Sequence, residues 1–303
     1  MRAEARAYRL AATTAREERD VEDAVHGLSN SSGSVMHVRT CGRTGPTVIV
    51  LHGGPGASGY LAPVTRSLAS SFRVLEPFQR GSGGEPLTVA RHVADLHEVV
   101  TSYAVQTHPA LVGHSWGAML ALCYAAAHPG SVSSLALIGC GTFDPAARQR
   151  MRAIRQSRVT DRLRARIERL AEQYPDPDER LCAHARLTLP LDSYELDYAD
   201  AEPATCDARA HEETWEDMMR LQGEGVYPAA FAAIGAPVLM LHGAFDPHPG
   251  RMIAANLRTY LPQLEYREWE RCGHYPWLEK AVRAEFLAAL RDWIRRQFGQ
   301  GQG

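Results

Sequence analysis

With 303 residues, 45% of them hydrophobic, the chain can bury a sizeable core as one large domain or two small ones. Its formal net charge of −2 offers no field of one sign to gather nucleic acid or an anionic membrane, so neither is expected as a partner. No stretch approaches the roughly eighteen consecutive apolar residues of a bilayer-spanning helix.

Residues 1–33 carry charges every few positions, as in Arg16-Glu17-Glu18-Arg19-Asp20, and end in Ser29-Asn30-Ser31-Ser32-Gly33. They predict a loose or helical extension outside the core, and they lack the apolar centre of an export signal, so a cytoplasmic protein is expected. Cys41, Cys123, Cys140, Cys182, Cys206 and Cys272 show no C-x-x-C pair or zinc-like spacing. They are expected to be separate reduced thiols, and no metal or organic cofactor is expected.

From residue 34 onward, short apolar runs alternate with helical ones, the pattern of a mostly parallel, doubly wound sheet. Thr47 to Leu51 predicts a strand that runs into the glycine-rich loop His52-Gly53-Gly54-Pro55-Gly56. Phe72 to Leu75 predicts the next strand, and Val89, Val93, Leu96, Val100 and Tyr103 recur at helical spacing after it. Ala110 to Val112 leads through Gly113-His114-Ser115-Trp116-Gly117 into Ala118 to Ala127, which is apolar on every side and so predicts a buried helix. Val132 to Ile138 predicts another strand.

The alternation then stops between Thr142 and about Ala230, where helices and loops are expected. The first part of this stretch is rich in arginine (Arg148 to Arg169), and the second, from Asp176 to Asp217, is rich in acids. These charges are expected mainly to pair with each other or to face solvent. The alternation resumes with a strand over Pro237 to Leu241, a helix over Arg251 to Leu261, a strand over Glu265 to Trp269 and a closing helix over Val282 to Phe298. The organisation predicted is an N-terminal extension (1–33), a core (34–141 and 231–303) and an inserted helical cap (142–230).

Gly113-His114-Ser115-Trp116-Gly117 fits G-x-S-x-G between a strand and a buried helix, the context in which a serine is presented outward on a tight turn. Ser115 is therefore the candidate nucleophile. A serine hydroxyl needs a base to take its proton and an acid to orient that base. Asp246, beyond a late strand, and His274, beyond the final one, follow Ser115 in the order this topology requires. Asp144, after an earlier strand, is the rival acid, while His52 and His114 are expected to hold loop geometry. The main-chain N–H groups of Trp116 and Gly54 are the candidate oxyanion donors, since Pro55 has none.

Together with Gln79-Arg80-Gly81-Ser82-Gly83, His242-Gly243-Ala244-Phe245-Asp246 and Gly273-His274, these motifs resemble the proline iminopeptidase branch of the α/β-hydrolases. The resemblance covers about residues 35–141 and 235–297. It implies an α/β-hydrolase fold with a helical cap and a hydrolase that forms an acyl-serine on a small-molecule substrate, with an ester, amide or lactone bond cleaved. Three departures stand out: Phe78 begins the Gln79-Arg80-Gly81 loop in place of aspartate, His114 replaces the glycine common before the serine, and the cap opens with arginines. Those peptidases hold the substrate amine with cap glutamates, one of which follows a tryptophan. Trp215, Glu212, Glu213 and Glu216 are the substrate-contact candidates here, though they fall late in the cap. Two other readings remain: a carbon–carbon bond hydrolase with the same triad, and a ligand receptor without turnover. Epoxide hydrolysis and dehalogenation are disfavoured, because on this fold they use an aspartate where Ser115 stands. The oligomeric state is not legible in the sequence.

Overall fold

The computed structural model describes residues 24–29, 35–104, 108–198 and 201–300. An eight-stranded sheet is built from β1 (Ala24–Ser29), β2 (Val35–Cys41), β3 (Thr47–Leu51), β5 (Arg73–Pro77), β6 (Ala110–His114), β7 (Ser134–Ile138), β9 (Val238–Gly243) and β10 (Leu264–Trp269). Its order is β1-β2-β5-β3-β6-β7-β9-β10, antiparallel at the β1-β2-β5 edge and parallel from β5 to β10. The central strands are apolar throughout because both of their faces are covered. In β3, Ile49 and Leu51 enter one core cluster, while Val48 and Val50 enter the other. Val238 and Met240 of β9 divide from Leu239 and Leu241 in the same way.

Helix α1 (Ala62–Leu68) and α10 (Arg283–Gln300) cover one face, and α10 brings Phe286, Leu290, Trp293 and Ile294 into that core. On the other face lie α2 (Val89–Tyr103), capped by the Thr88 hydroxyl, and α3 (Trp116–Ala127), buried from Trp116 to Ala125. Between β7 and β9 the chain forms α4 (Pro145–Arg158), α5 (Asp161–Glu168), α6 (Leu170–Gln173), α7 (Pro177–Thr188) and α8 (Ala208–Gly223). These helices fill the inserted stretch in which a cap is expected. Helix α9 (Gly250–Arg258) joins β9 to β10. No helix among the described residues is long and apolar enough to cross a membrane.

Two expectations are corrected. Residues 24–29, assigned to a loose or helical extension, form β1 and pair with β2 from Ala24↔Thr40 to Ser29↔Val35. An edge strand of this kind needs little apolar sequence, and Val25, His26 and Gly27 are exposed; residues 1–23 and 30–34 of the extension lie outside the described residues. The cysteines are not all separate thiols, because Cys182 of α7 and Cys206 of the short strand β8 (Thr205–Cys206) form a disulfide. Tertiary packing brings their Cα atoms to 5.7 Å, which a separation of 24 residues does not reveal. Cys41, Cys123, Cys140 and Cys272 are free and buried.

The disulfide has a place in the architecture. Strand β8 pairs antiparallel with β4 (Ala57–Ser58), directly after the glycine-rich loop, and Asp207 N–H donates to the Gly56 carbonyl at 2.7 Å. The cap is thus stitched to that loop on one side. On the other side, Glu279 accepts the N–H groups of Gly273 and Tyr194 at 2.8 Å each and of Glu195 at 2.6 Å, joining cap residues to the loop after β10. The charge expectation for the cap is partly met: Arg155 pairs with Asp192, while Arg150, Arg152, Arg162, Arg164, Arg166 and Arg169 face solvent.

Candidate active site

Strand β6 ends at His114 and helix α3 begins at Trp116, so Ser115 occupies the sharp turn between them. Its φ of 55° and ψ of −115° make it the non-glycine residue with positive φ among the described residues. The flanking glycines are dictated by space. A Cβ on Gly113 would lie 2.2 Å from the Gly117 carbonyl oxygen, and one on Gly117 would lie 2.1 Å from that of Leu51. Ser115 N–H donates to the Ile138 carbonyl at 2.8 Å, which pins the turn to β7. The serine stands at the N-terminus of α3, where exposed N–H groups favour negative charge.

Asp246 and His274 follow β9 and β10. His274 Nδ1 lies 2.6 Å from Asp246 Oδ2, so the Nδ1–H donates to the carboxylate and Nε2 is the ring nitrogen left to accept a proton. Both side chains are buried. Gly139 provides the room, since a Cβ there would sit 2.9 Å from His274 Nδ1. Burial alone would raise the Asp246 pKa, but the electrostatic pull of the His274, His248 and His242 imidazoles and the His248 hydrogen bond hold it well below the usual carboxylate range. Asp144, the rival acid, caps α4 by accepting from Ala147 N–H at 2.8 Å and is thereby committed to the cap.

The loops are joined through His114. Gly53 N–H donates to Tyr60 Oη at 2.7 Å, Tyr60 Oη lies 2.7 Å from His114 Nδ1, and His114 Nε2 lies 3.0 Å from the His274 carbonyl. The only consistent direction of donation is Gly53 to Tyr60, Tyr60 to His114 Nδ1, and His114 Nε2–H to His274. Burial holds the His114 pKa well below its ordinary value, in keeping with a neutral ring. One imidazole next to Ser115 thus ties the glycine-rich loop to the loop of His274.

Two groups were candidates for an oxyanion site. Gly53 N–H is taken by Tyr60, and Gly54 follows with φ of 44°. Gln79 braces both segments: its Nε2 donates to the His52 carbonyl at 2.8 Å and its Oε1 accepts from Trp116 Nε1 at 2.7 Å. His52 completes the brace by accepting Gln79 N–H at Nε2, 3.0 Å away.

Burial lowers His52 to a pKa of about 4, and burial followed by the charge of Arg80 brings His92 to about 4 as well. Both stay neutral in the fold until well below the ordinary histidine value of about 6.5. The unfolded chain therefore binds more protons between about pH 6.5 and pH 4, and stability falls as pH drops through that window. The urea midpoint is expected to be clearly lower at pH 5 than at pH 7.5; an unchanged midpoint would contradict these buried neutral rings.

The candidate substrate contacts on α8 have different surroundings. Glu212 and Glu216 are exposed on α8. Glu213 accepts Leu87 N–H at 2.8 Å and pairs with Arg209 at 2.6 Å, so it fastens the cap to the core. Trp215 packs edge-on against Trp116, with ring centroids 6.1 Å apart. A cleft of about 660 Å³ opens beside the glycine-rich loop, lined by residues such as Arg39, His52, Gln79, Arg80, Glu202 and Asp207. Ser115 and His274 are not on its walls, so it lies at the junction of cap and core and not over the serine. Asp246, His248 and His274 bring ligand-type atoms within 4.8 Å of one another, but the carboxylate already accepts a hydrogen bond from each imidazole, so the cluster is a hydrogen-bonded one.

The sequence reading missed four residues that build this site: Tyr60, His248, Glu279 and the bracing role of Gln79. The Asp246-Pro247-His248 spacing did carry a signal, since an aspartate oxygen readily meets the N–H two residues on. Tyr60 and Glu279 carried none.

Residues 46–281 match the family model described as alpha/beta hydrolase fold. The chain is 29% identical over 126 residues to the cis-3-alkyl-4-alkyloxetan-2-one decarboxylase of Shewanella oneidensis, a match to 39% of each chain, so it spans well under half of that relative. It is 26% identical over 278 residues to the proline iminopeptidase of Lactobacillus helveticus, covering 82% of this chain and 90% of that one. The solved proline iminopeptidase of Mycobacterium smegmatis superposes with a TM-score of 0.62 at 19% identity, over 90% of this chain and 98% of that one. The chain belongs to the alpha/beta hydrolase fold family and is similar to its proline iminopeptidases.

Proposed function

We propose that this hydrolase is a serine hydrolase that cleaves an ester, amide or lactone bond of a small substrate, with residues 142–230 as the cap domain over its site. The observation that carries the reading is the 2.6 Å His274–Asp246 bond in a loop tied by His114 to the strained turn of Ser115. Ser115 Oγ attacks the acyl carbon as His274 Nε2 takes its proton, and Asp246 holds the ring in the required tautomer. The oxyanion of the tetrahedral intermediate receives the N–H groups of Trp116 and Gly54. Its collapse expels the leaving group, which takes the proton from His274, and a water activated by the same imidazole then hydrolyses the acyl-serine.

The cap favours a substrate without a free ammonium group. Glu212 and Glu216 are exposed, where water weakens any pairing with an ammonium, and Glu213 is already paired with Arg209. Treatment with a fluorophosphonate is expected to modify Ser115, located by peptide mass spectrometry; an unmodified chain would overturn the reading. On a panel of short acyl esters, lactones and proline anilide, the esters or lactones are expected to turn over faster. Preferential cleavage of the anilide would restore the aminopeptidase version.

A further inference from the structure

Asp246 serves two imidazoles, and the mechanism above uses one. Its Oδ2 accepts from His274, while its Oδ1 accepts both the main-chain N–H of His248 at 2.9 Å and the His248 Nδ1–H at 2.8 Å. The His248 ring stacks on that of His274, with centroids 4.6 Å apart and planes 21° from parallel. His242 completes the arrangement: its Nε2 lies 2.9 Å from the His248 carbonyl and 3.2 Å from Asp246 Oδ2. Two donors from one residue on one oxygen form a clamp that fixes the rotation of the carboxylate and so aims the other oxygen.

Building on the serine-hydrolase reading, we propose that His248 is a positioning residue for the reaction, one that holds Asp246 aimed at His274 and tempers the basicity of the His274 imidazole. A hydrogen bond to one carboxylate oxygen draws charge from the other, so the carboxylate stabilises an imidazolium less than it would alone. That matters because the proton on His274 must be passed on to the leaving group. His248 is suited to stay neutral while it does this: burial first, and then the neighbouring His274, lower its pKa against the pull of Asp246.

The charged and titratable groups around the pair come from every element packed on it. Asp246 and His242 lie on β9 and its loop, His274 and Tyr275 follow β10, and His114 ends β6. From the cap, Arg155 of α4 pairs with Asp192, and Arg158 lies over the Phe245 ring at 3.8 Å. All of these side chains remain in place in a chain substituted only at residue 248.

Two substitutions separate the hydrogen bond from the packing. His248→Asn places an amide N–H where Nδ1–H stood and removes the ring, while His248→Phe keeps a ring and removes the donor. The readouts are kcat/KM for p-nitrophenyl butyrate and the rate of fluorophosphonate labelling, each from pH 5 to 9, with circular dichroism to check folding. The Phe variant is expected to lose about tenfold in both rates, below the roughly 10²–10⁴ that a general base contributes, with its acidic limb shifted up by about half a pH unit. The Asn variant is expected to stay within about threefold of the parent with the limb unmoved. If the Phe variant does not fold, His248→Ala takes its place with the same expectation.

The proposal is overturned if the donor-lacking variant keeps the parent's rates and limb, or if the Asn variant falls as far, which would leave only a packing role. A parent enzyme that neither labels nor hydrolyses would instead remove the serine-hydrolase reading and this one with it.

Discussion

Replacing Ser115 by alanine is expected to lower kcat for the best ester of the panel by about 10⁵–10⁶-fold, with KM little changed and fluorophosphonate labelling abolished. The substitution removes a single oxygen from a turn whose backbone is fixed by other means: the Ser115 N–H bond to Ile138 and the glycines at 113 and 117. Alanine tolerates the φ of 55° about as serine does, so the melting temperature is expected to move by no more than a few degrees. What remains is the catalysis by hydrogen bonding and binding alone, on the order of 10³–10⁴ over water. Retention of a tenth of the parent activity would mean that a group other than Ser115 attacks the substrate.

The second large effect concerns stability. Glu279→Ala is expected to cost on the order of 4 kcal/mol, read as a fall in the guanidinium midpoint at unchanged slope. Glu279 is wholly buried and its two oxygens accept three main-chain N–H groups, from Gly273, Tyr194 and Glu195. Alanine leaves all three donors without their acceptor, at roughly 1–3 kcal/mol each where water does not replace it. The same donors hold the cap against the loop of His274, whose own N–H donates to the Asp192 carbonyl at 2.7 Å. Activity should therefore fall along with stability. A loss below about 1 kcal/mol would show that the cap is held elsewhere.

The α/β fold was legible in the sequence because a strand buried on both faces must be apolar throughout. Thr47–Leu51 and Val238–Gly243 announce themselves in that way, and the all-apolar α3 does the same for a helix. The candidate triad was legible for a related reason: it depends on which βα loop carries each residue, and loop order follows chain order in this topology. The edge strand β1 was not legible, since a strand with one solvated face and few apolar residues has no pattern that sets it apart from a polar extension. Nor was the pairing of Cys182 with Cys206, which depends on how α7 and β8 come together.

The cap shows the boundary most clearly. Its acidic run named Glu212, Glu213 and Glu216 as substrate contacts, but composition cannot say which face of α8 meets the core, and the fold turns two outward and uses the third as a fastener. By itself, then, the sequence determined the central strands and the helices that follow them, the turn that presents Ser115, and the loops that carry Asp246 and His274, because each rests on local pattern and spacing. Only the tertiary structure decided that Asp246 is shared by two imidazoles, that Tyr60 and His114 join two loops, and that Glu279 holds the cap. Those are hydrogen bonds between residues far apart in the chain, fixed by where buried polar groups find partners when the layers pack, and no local spacing encodes them.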